Sequence, residues 1–171
     1  MIRLVSKSSK KLSKSELKNI CFLKDEEWKH GIKSQQSWFK KNVKTKDLHN
    51  CFYIKKKLIG YTLLRKRTLK ISIKEKEYLL FDSLVISKKF RKRRFSSIMM
   101  MFNNNVIIKS KKPSFLICSK RLINFYKKFS WKKLSNYKFK VLDHPFNTNG
   151  MLFDYSNKYA KIKGINFYFN K

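Results

Sequence analysis

Residues 87–96 read Ser-Lys-Lys-Phe-Arg-Lys-Arg-Arg-Phe-Ser and follow residues 77–86, the most continuously apolar run of the chain. Three of the seven arginines stand there, at Arg91, Arg93 and Arg94, with Lys92 between them. A basic turn that leaves a buried strand and opens a helix is suited to holding an anion. Unpaired amides and the positive helix end point at it, and guanidinium groups fork onto phosphate oxygens. A merely solvated run of charge is the competing reading of the same residues. Cys21, Cys51 and Cys118 are scattered, without a C-x-x-C, and His30, His49 and His144 lack metal-ligand spacing. Neither a disulfide framework nor a metal site is expected.

The elements that must position the basic turn can be read from periodicity. Residues 2–6 suit a short first strand. Ser13-Lys14-Ser15-Glu16 has capping-box spacing, and Leu17, Ile20, Cys21 and Trp28 then recur as on a helix over 14–29. Gly31 suits that helix's C-terminus, and Ser34 suits the cap of a second helix carrying Trp38, Phe39 and Val43. Residues 52–54 and 58–64 read as a hairpin around Lys55-Lys56-Lys57. Residues 77–86 read as a central strand, 98–108 as a helix, and 115–118, after Pro113, as another buried strand. Leu122, Phe125, Tyr126 and Phe129 suit a short helix. Residues 131–142 and 151–155 are strand candidates on either side of the turn at Asn147-Thr148-Asn149-Gly150. Ile165, Phe167 and Phe169 alternate in a last segment, 157–171, expected to add an edge strand or meet a partner.

The chain has 171 residues and 20.7 kDa, with 43 Lys+Arg against 10 Asp+Glu and a formal charge of +33. With 42% hydrophobic and 15% aromatic residues it is too apolar for a disordered basic tail. No stretch reaches the roughly 18–20 apolar residues of a membrane span. Residues 1–7 are basic without an apolar run behind them, so no secretory signal is expected and the location expected is the cytoplasm. The charge invites a nucleic-acid reading. Codon bias competes with it: alanine occurs once, at Ala160, glycine four times and proline twice, while residues with AT-rich codons abound.

The order of elements and two motifs resemble the GNAT (Gcn5-related N-acetyltransferase) superfamily. Arg91 to Ser96 is similar to its acetyl-CoA signature, Arg/Gln-x-x-Gly-x-Gly/Ala, with Arg94 in place of the first glycine and Ser96 at the second. Aminoglycoside 2′-N-acetyltransferases tolerate arginine at that place, and the local similarity extends to them. Ser119 to Trp131 resembles Asn-x-x-Ala-x-x-Phe-Tyr-x-x-x-Gly-Phe; Phe125-Tyr126 is kept, while Ser119, Leu122 and Ser130 replace Asn, Ala and Gly.

The resemblance implies one α+β domain over residues 1–156. Its mixed, mostly antiparallel sheet would have about six to seven strands flanked by about four helices. It implies acetyl-CoA as co-substrate and direct transfer to a primary amine, with no metal. Leu84, Val85 and Ile86 would offer an amide to the thioester carbonyl. Arg91, Lys92, Arg93, Arg94, Phe95 and Ser96 would hold the pyrophosphate, with Ser119 beside the cofactor. Tyr126 falls on the family's frequent general acid. Asp82, and after it Glu77, would accept the amine's proton. The acceptor favoured is an amino sugar, anionic or nucleotide-linked, because the protein's field repels polycations. The alternatives are a basic nucleic-acid-binding protein and a degenerate fold member without catalysis.

Overall fold

The computed structural model describes residues 1–145, 147–159 and 161–171. Its first helix starts where the sequence places it. Ser13 Oγ accepts from the Glu16 amide at 3.1 Å, and Glu16 Oε2 accepts from the Ser13 amide at 3.0 Å, satisfying two amides the helix cannot. The elements are β1 (Ile2–Ser8), α1 (Lys14–Glu27), α2 (Ile32–Asn42), β2 (Leu48–Ile54), β3 (Lys57–Ile71), β4 (Lys74–Ile86), α3 (Phe95–Ser110), β5 (Ser114–Ile117), α4 (Ile123–Lys127), β6 (Lys132–Lys133), β7 (Phe139–Val141), β8 (Gly150–Phe153) and β9 (Ile165–Phe167). They make an α+β fold with a mixed, mostly antiparallel sheet and four α-helices. Among the described residues the nine strands exceed the expected number because the stretch expected as one strand over 131–142 holds two short ones, β6 and β7, and the last segment adds β9.

Two compact units divide the chain, Met1–Arg65 with Asp82–Asn103, and Lys66–Phe81 with Asn104–Lys171. In the first, β1 pairs antiparallel with β2 from Ile2↔Ile54 to Ser8↔Leu48, and β2 pairs antiparallel with β3. Both faces of these strands are covered. Cys51, Tyr53, Tyr61, Leu63 and Val85 pack with Ile20, Leu23 and Phe39 of α1 and α2, while Phe52, Ile59 and Ile86 pack with Met99 of α3. That double burial is why the end of β4 reads as a continuous apolar run rather than an alternating one. Gly31 has φ 81, but it caps the start of α2, and α1 ends at Trp28. The structure thus moves the cap expected at Ser34 to Gly31.

In the second unit β5 runs parallel to β4 (Leu79↔Ser114), and β8 is antiparallel to β5 and to β6. β9 lies antiparallel to β3 and parallel to β7, so the alternating Ile165 and Phe167 have a strand on each side. Their side chains join Phe115 and Phe139 in a core where Phe115 and Phe167 stack at 3.8 Å. Gly150 is required there: a Cβ would lie 2.6 Å from the Phe139 ring. The single strand expected over 131–142 is broken by a short 3₁₀ turn at Asn136–Lys138.

Candidate active site

β4 ends at Ile86, and the Ser87 amide donates to the Ile59 carbonyl at 2.8 Å. A 3₁₀ turn, Lys88–Phe90, then leads into residues 91–94, all exposed. Lys92 and Arg94 are left-handed, with φ 64 and φ 58. This conformation favours glycine and costs other residues about 1–2 kcal/mol. Arg94 stands where the acetyl-CoA signature has glycine, and its backbone adopts the left-handed conformation that glycine favours. The Ser97 and Ile98 amides donate to the Arg94 carbonyl at 3.0 and 3.2 Å. That leaves the Phe95 and Ser96 amides at the helix's positive end without an intrahelical carbonyl. Phe95 itself packs on Phe52 and Phe90, anchoring α3 by its ring.

The last turn of α1 fixes this loop. Glu26 Oε2 accepts from the Lys88 amide at 2.8 Å, and Glu26 Oε1 accepts from Ser87 Oγ at 3.3 Å. Arg91 donates from Nε to the Ile86 carbonyl at 3.1 Å and pairs through its terminal nitrogen with Glu27. The guanidinium expected at a phosphate therefore braces the turn, leaving Lys92, Arg93 and Arg94 as cations that, among the described residues, pair with no carboxylate. Sequence reasoning missed Glu26 and Glu27. The signal was adjacent acids in a chain that has only 10.

Asp82 lies where α1 and α2 cover β3 and β4. Its Oδ2 accepts from buried Arg65 at 3.2 Å, and its Oδ1 accepts from Ser83 Oγ at 2.9 Å. Ser83 has φ 62 within β4, which breaks the strict alternation of the strand. Val85 and Ile86 are buried and Leu84 is half-buried. Lys24 of α1 completes the group. It is 5% exposed, and its Nζ lies 4.0 Å from the Trp38 ring centroid and 4.8 Å from that of Phe39. Neither Lys24 nor Arg65 was singled out from the sequence, since nothing local distinguishes a buried lysine from its exposed neighbours.

The remaining candidates belong to the second unit. Tyr126 of α4 packs against Phe81, Phe125 and Trp131, and burial pushes its phenol well above the ordinary tyrosine range. Ser119 opens a 3₁₀ turn and accepts from the Leu122 amide at 2.9 Å. Ser130, at the second motif's glycine position, has φ 65. Glu77 is exposed and pairs with Lys112.

A third polar group is structural. His49 bonds Tyr61 Oη through Nδ1 and Ser9 Oγ through Nε2, both at 2.8 Å, while Ser9 Oγ donates to the Asp47 carbonyl at 3.3 Å. With its proton used in that way, Ser9 accepts from His49, so the imidazole is not placed as its base. Burial lowers His49 to about 4 and pushes the Cys51 thiol up to about 12. Among the described residues no group of three His, Cys, Asp or Glu side chains suits a metal ion, and no helix is long and apolar enough to cross a membrane.

No known family profile and no curated protein sequence matches the chain. Solved structures do. The GNAT family N-acetyltransferase YhbS of Escherichia coli, in complex with CoA, superposes with a TM-score of 0.69 at 9% identity, over 98% of this chain and 91% of that one. The chain has the GNAT acetyltransferase fold. Escherichia coli ElaA (TM-score 0.67, 17% identity, 90% of this chain and 100% of that one) is likewise similar. So is an acyl-CoA N-acyltransferase of Pseudomonas aeruginosa (TM-score 0.67, 13% identity, 90% and 100%). At such identities the GNAT fold is held by buried pattern and backbone geometry, as at Arg94 and Ser130, rather than by residue identity.

Proposed function

We propose that the protein is an acetyl-CoA-dependent N-acyltransferase acting on a primary amine of a small acceptor. The observation that carries this reading is the β4–α3 turn. It adopts left-handed backbone at Lys92 and Arg94 and presents the Phe95 and Ser96 amides at a helix start, on a fold shared with a CoA-bound N-acetyltransferase. Pyrophosphate is assigned to these amides and to Lys92, Arg93 and Arg94, with Arg91 holding the turn's shape and Ser119 beside the cofactor. The amides of Leu84, Val85 and Ile86 are the candidates for polarising the thioester carbonyl.

An ammonium group cannot attack; its nitrogen must first lose a proton. Asp82 takes that role, held by Arg65 and Ser83. Glu77 is the weaker candidate, being 60% exposed and paired with Lys112. The neutral amine then attacks the carbonyl, the carbon–sulfur bond breaks, and Tyr126 supplies the proton for the thiolate. Burial keeps that phenol protonated until then. The acceptor favoured is an amino sugar with anionic or nucleotide character, drawn by the +33 field that repels polycationic aminoglycosides.

Isothermal titration with acetyl-CoA tests the reading. Micromolar binding is expected, with turnover lost and binding kept in Tyr126→Phe. Heat near zero at millimolar ligand overturns it, and steeply salt-dependent nucleic-acid binding in its place would establish the alternative class.

A further inference from the structure

We infer that the outer edge of the second unit, from the end of α4 through β6 to β7, is a docking surface for single-stranded nucleic acid. This surface does not depend on the transferase reading. Residues 83–142 hold 17 Lys and Arg and no Asp or Glu. Codon bias does not explain that gap. It exchanges arginine for lysine, which leaves the charge unchanged, and the codons of Asp and Glu require only a single G. Acids from elsewhere do not fill the gap either. Among the described residues only Arg91 and Lys112 of this stretch pair with a carboxylate. Asp143 and Asp154, the acids that follow it, are spent on backbone amides, those of Phe169 and Asn170 and those of Ser156 and Tyr159.

The backbone gathers the lysines of residues 127–140 along one edge. α4 turns back at once: the Ser130 amide donates to the Lys127 carbonyl at 3.1 Å, and the Trp131 amide to that of Tyr126 at 3.3 Å. This brings the end of α4, with Lys127 and Lys128, next to Lys132 and Lys133 of β6, the last strand of the sheet. The Leu134 amide then bonds the Gly150 carbonyl at 2.9 Å, where the Phe139 ring also packs, so β7 and Lys140 begin beside the end of β6. Between them the 3₁₀ turn at Asn136–Lys138 holds Tyr137 outward, 74% exposed. Trp131, Leu134, Phe139 and Val141 are buried, whereas Lys127, Lys128, Lys132, Lys133 and Lys140 are exposed. Lys132 reaches the neutral Asn157 side chain at 2.8 Å.

Lysine on an edge strand also deters the addition of another strand, but that purpose needs no exposed ring. Cations on both sides of an outward aromatic suit a flexible phosphate chain, whose bases stack on the ring while its phosphates release counterions. A bilayer would require several exposed apolar side chains. Within 127–140 Tyr137 is the one large apolar side chain that is exposed. A duplex would require an element that enters a groove, and α4 is only five residues long.

Binding of the full-length protein to uridine and thymidine oligonucleotides of about 16 residues is followed by fluorescence anisotropy over a salt series. Binding of either supports the surface, and the tighter of the two names the sugar. The triple variant Lys132→Gln, Lys133→Gln, Lys140→Gln should weaken binding tenfold or more. It should also lower the slope of log affinity against log salt by about 2, at about 0.7 per phosphate contact. The charge-matched Lys55→Gln, Lys56→Gln, Lys57→Gln, on the exposed β2–β3 turn, should leave both nearly unchanged. Tyr137→Ala should weaken binding about tenfold with the slope unchanged, and Tyr137→Phe should keep the parent affinity. Melting curves of all four variants should superimpose on the parent's. No binding of either oligonucleotide, equal losses in the two triple variants, an undiminished affinity in Tyr137→Ala, equal or tighter binding of the corresponding duplex, or binding to phosphatidylserine vesicles in place of the oligonucleotides would each overturn the proposal. Thiol release from acetyl-CoA is read separately: its absence defeats the transferase reading and leaves the surface, and its presence without oligonucleotide binding defeats only the surface.

Discussion

The turn at residues 91–94 and the cluster around Lys24 use the same side chains in opposite settings. In the turn, cations are exposed, their charge is screened, and the backbone holds the shape through two left-handed residues and the carboxylates of α1. In the cluster, the cations are buried, the backbone is ordinary helix and strand, and the side chains make the site. Charge in the turn is cheap to keep and easy to change. Charge in the cluster is costly, so changing it has large effects on both stability and chemistry.

The sharpest break is at Asp82. Asp82→Asn removes the proposed proton acceptor and the charge that pairs with buried Arg65. Turnover should fall by about 10²–10⁴-fold. Stability should fall by about 2–3 kcal/mol, below the range for fully sealed pairs because Asp82 is partly open to water. Steady-state thiol release and urea unfolding measure the two. Unchanged turnover would hand the proton to Glu77 or to water.

Next comes burial itself. His49 folds with a value near 4 against an ordinary 6.5, because charging it would strand an imidazolium between Ser9 and Tyr61. Stability is therefore lost as the pH falls from 6.5, where the unfolded chain begins to take up the proton, to 4, where the folded protein does too, an amount of about 3 kcal/mol that levels off below 4. Denaturant midpoints from pH 7 to 4 should show the loss, and His49→Gln should flatten it.

The contrast also explains what was legible. Local signals survived into the structure: the Ser13–Glu16 box, the apolar strand ending at Ile86, and the basic turn with helix α3 behind it. Each depends on neighbours within a few residues. Glu26 meets Lys88 across 62 positions, and Arg65 and Trp38 come together only when β3 is covered by α2. Nothing in the spacing of lysines marks Lys24 as the buried one, because burial is decided by the helix pair. Arg91 is expected from the sequence at a phosphate, and the two partners that engage its guanidinium, Glu27 and the Ile86 carbonyl, are not visible in its spacing. Gly31 was placed in the left-handed region, as found, but at the wrong helix.

A smaller effect is expected at the clamp. Glu26→Gln keeps one acceptor for the Lys88 amide but removes the charge, which should loosen the turn by about 1 kcal/mol, an exposed charge-assisted bond being discounted by solvent. Acetyl-CoA affinity should drop roughly fivefold by titration, with the melting temperature nearly unchanged. An equal loss of stability and affinity would make Glu26 a general support of the fold rather than of the turn.

The smallest change separates backbone from charge within the turn. Arg94→Gly relieves a left-handed residue and removes one cation, and Ser130→Gly relieves another without touching charge. Both should stabilise by about 0.5–1 kcal/mol, since glycine adopts this conformation without a Cβ penalty and gives part of the gain back as chain entropy. Their effects on acetyl-CoA should differ. If the amides of the turn hold the pyrophosphate, Arg94→Gly binds acetyl-CoA as well as the parent protein or better. If the side chain has taken over the holding, affinity falls although stability rises, and Arg94→Lys restores part of it. Paired melting and titration curves for the two variants therefore decide whether the arginine merely tolerates the glycine geometry or uses it.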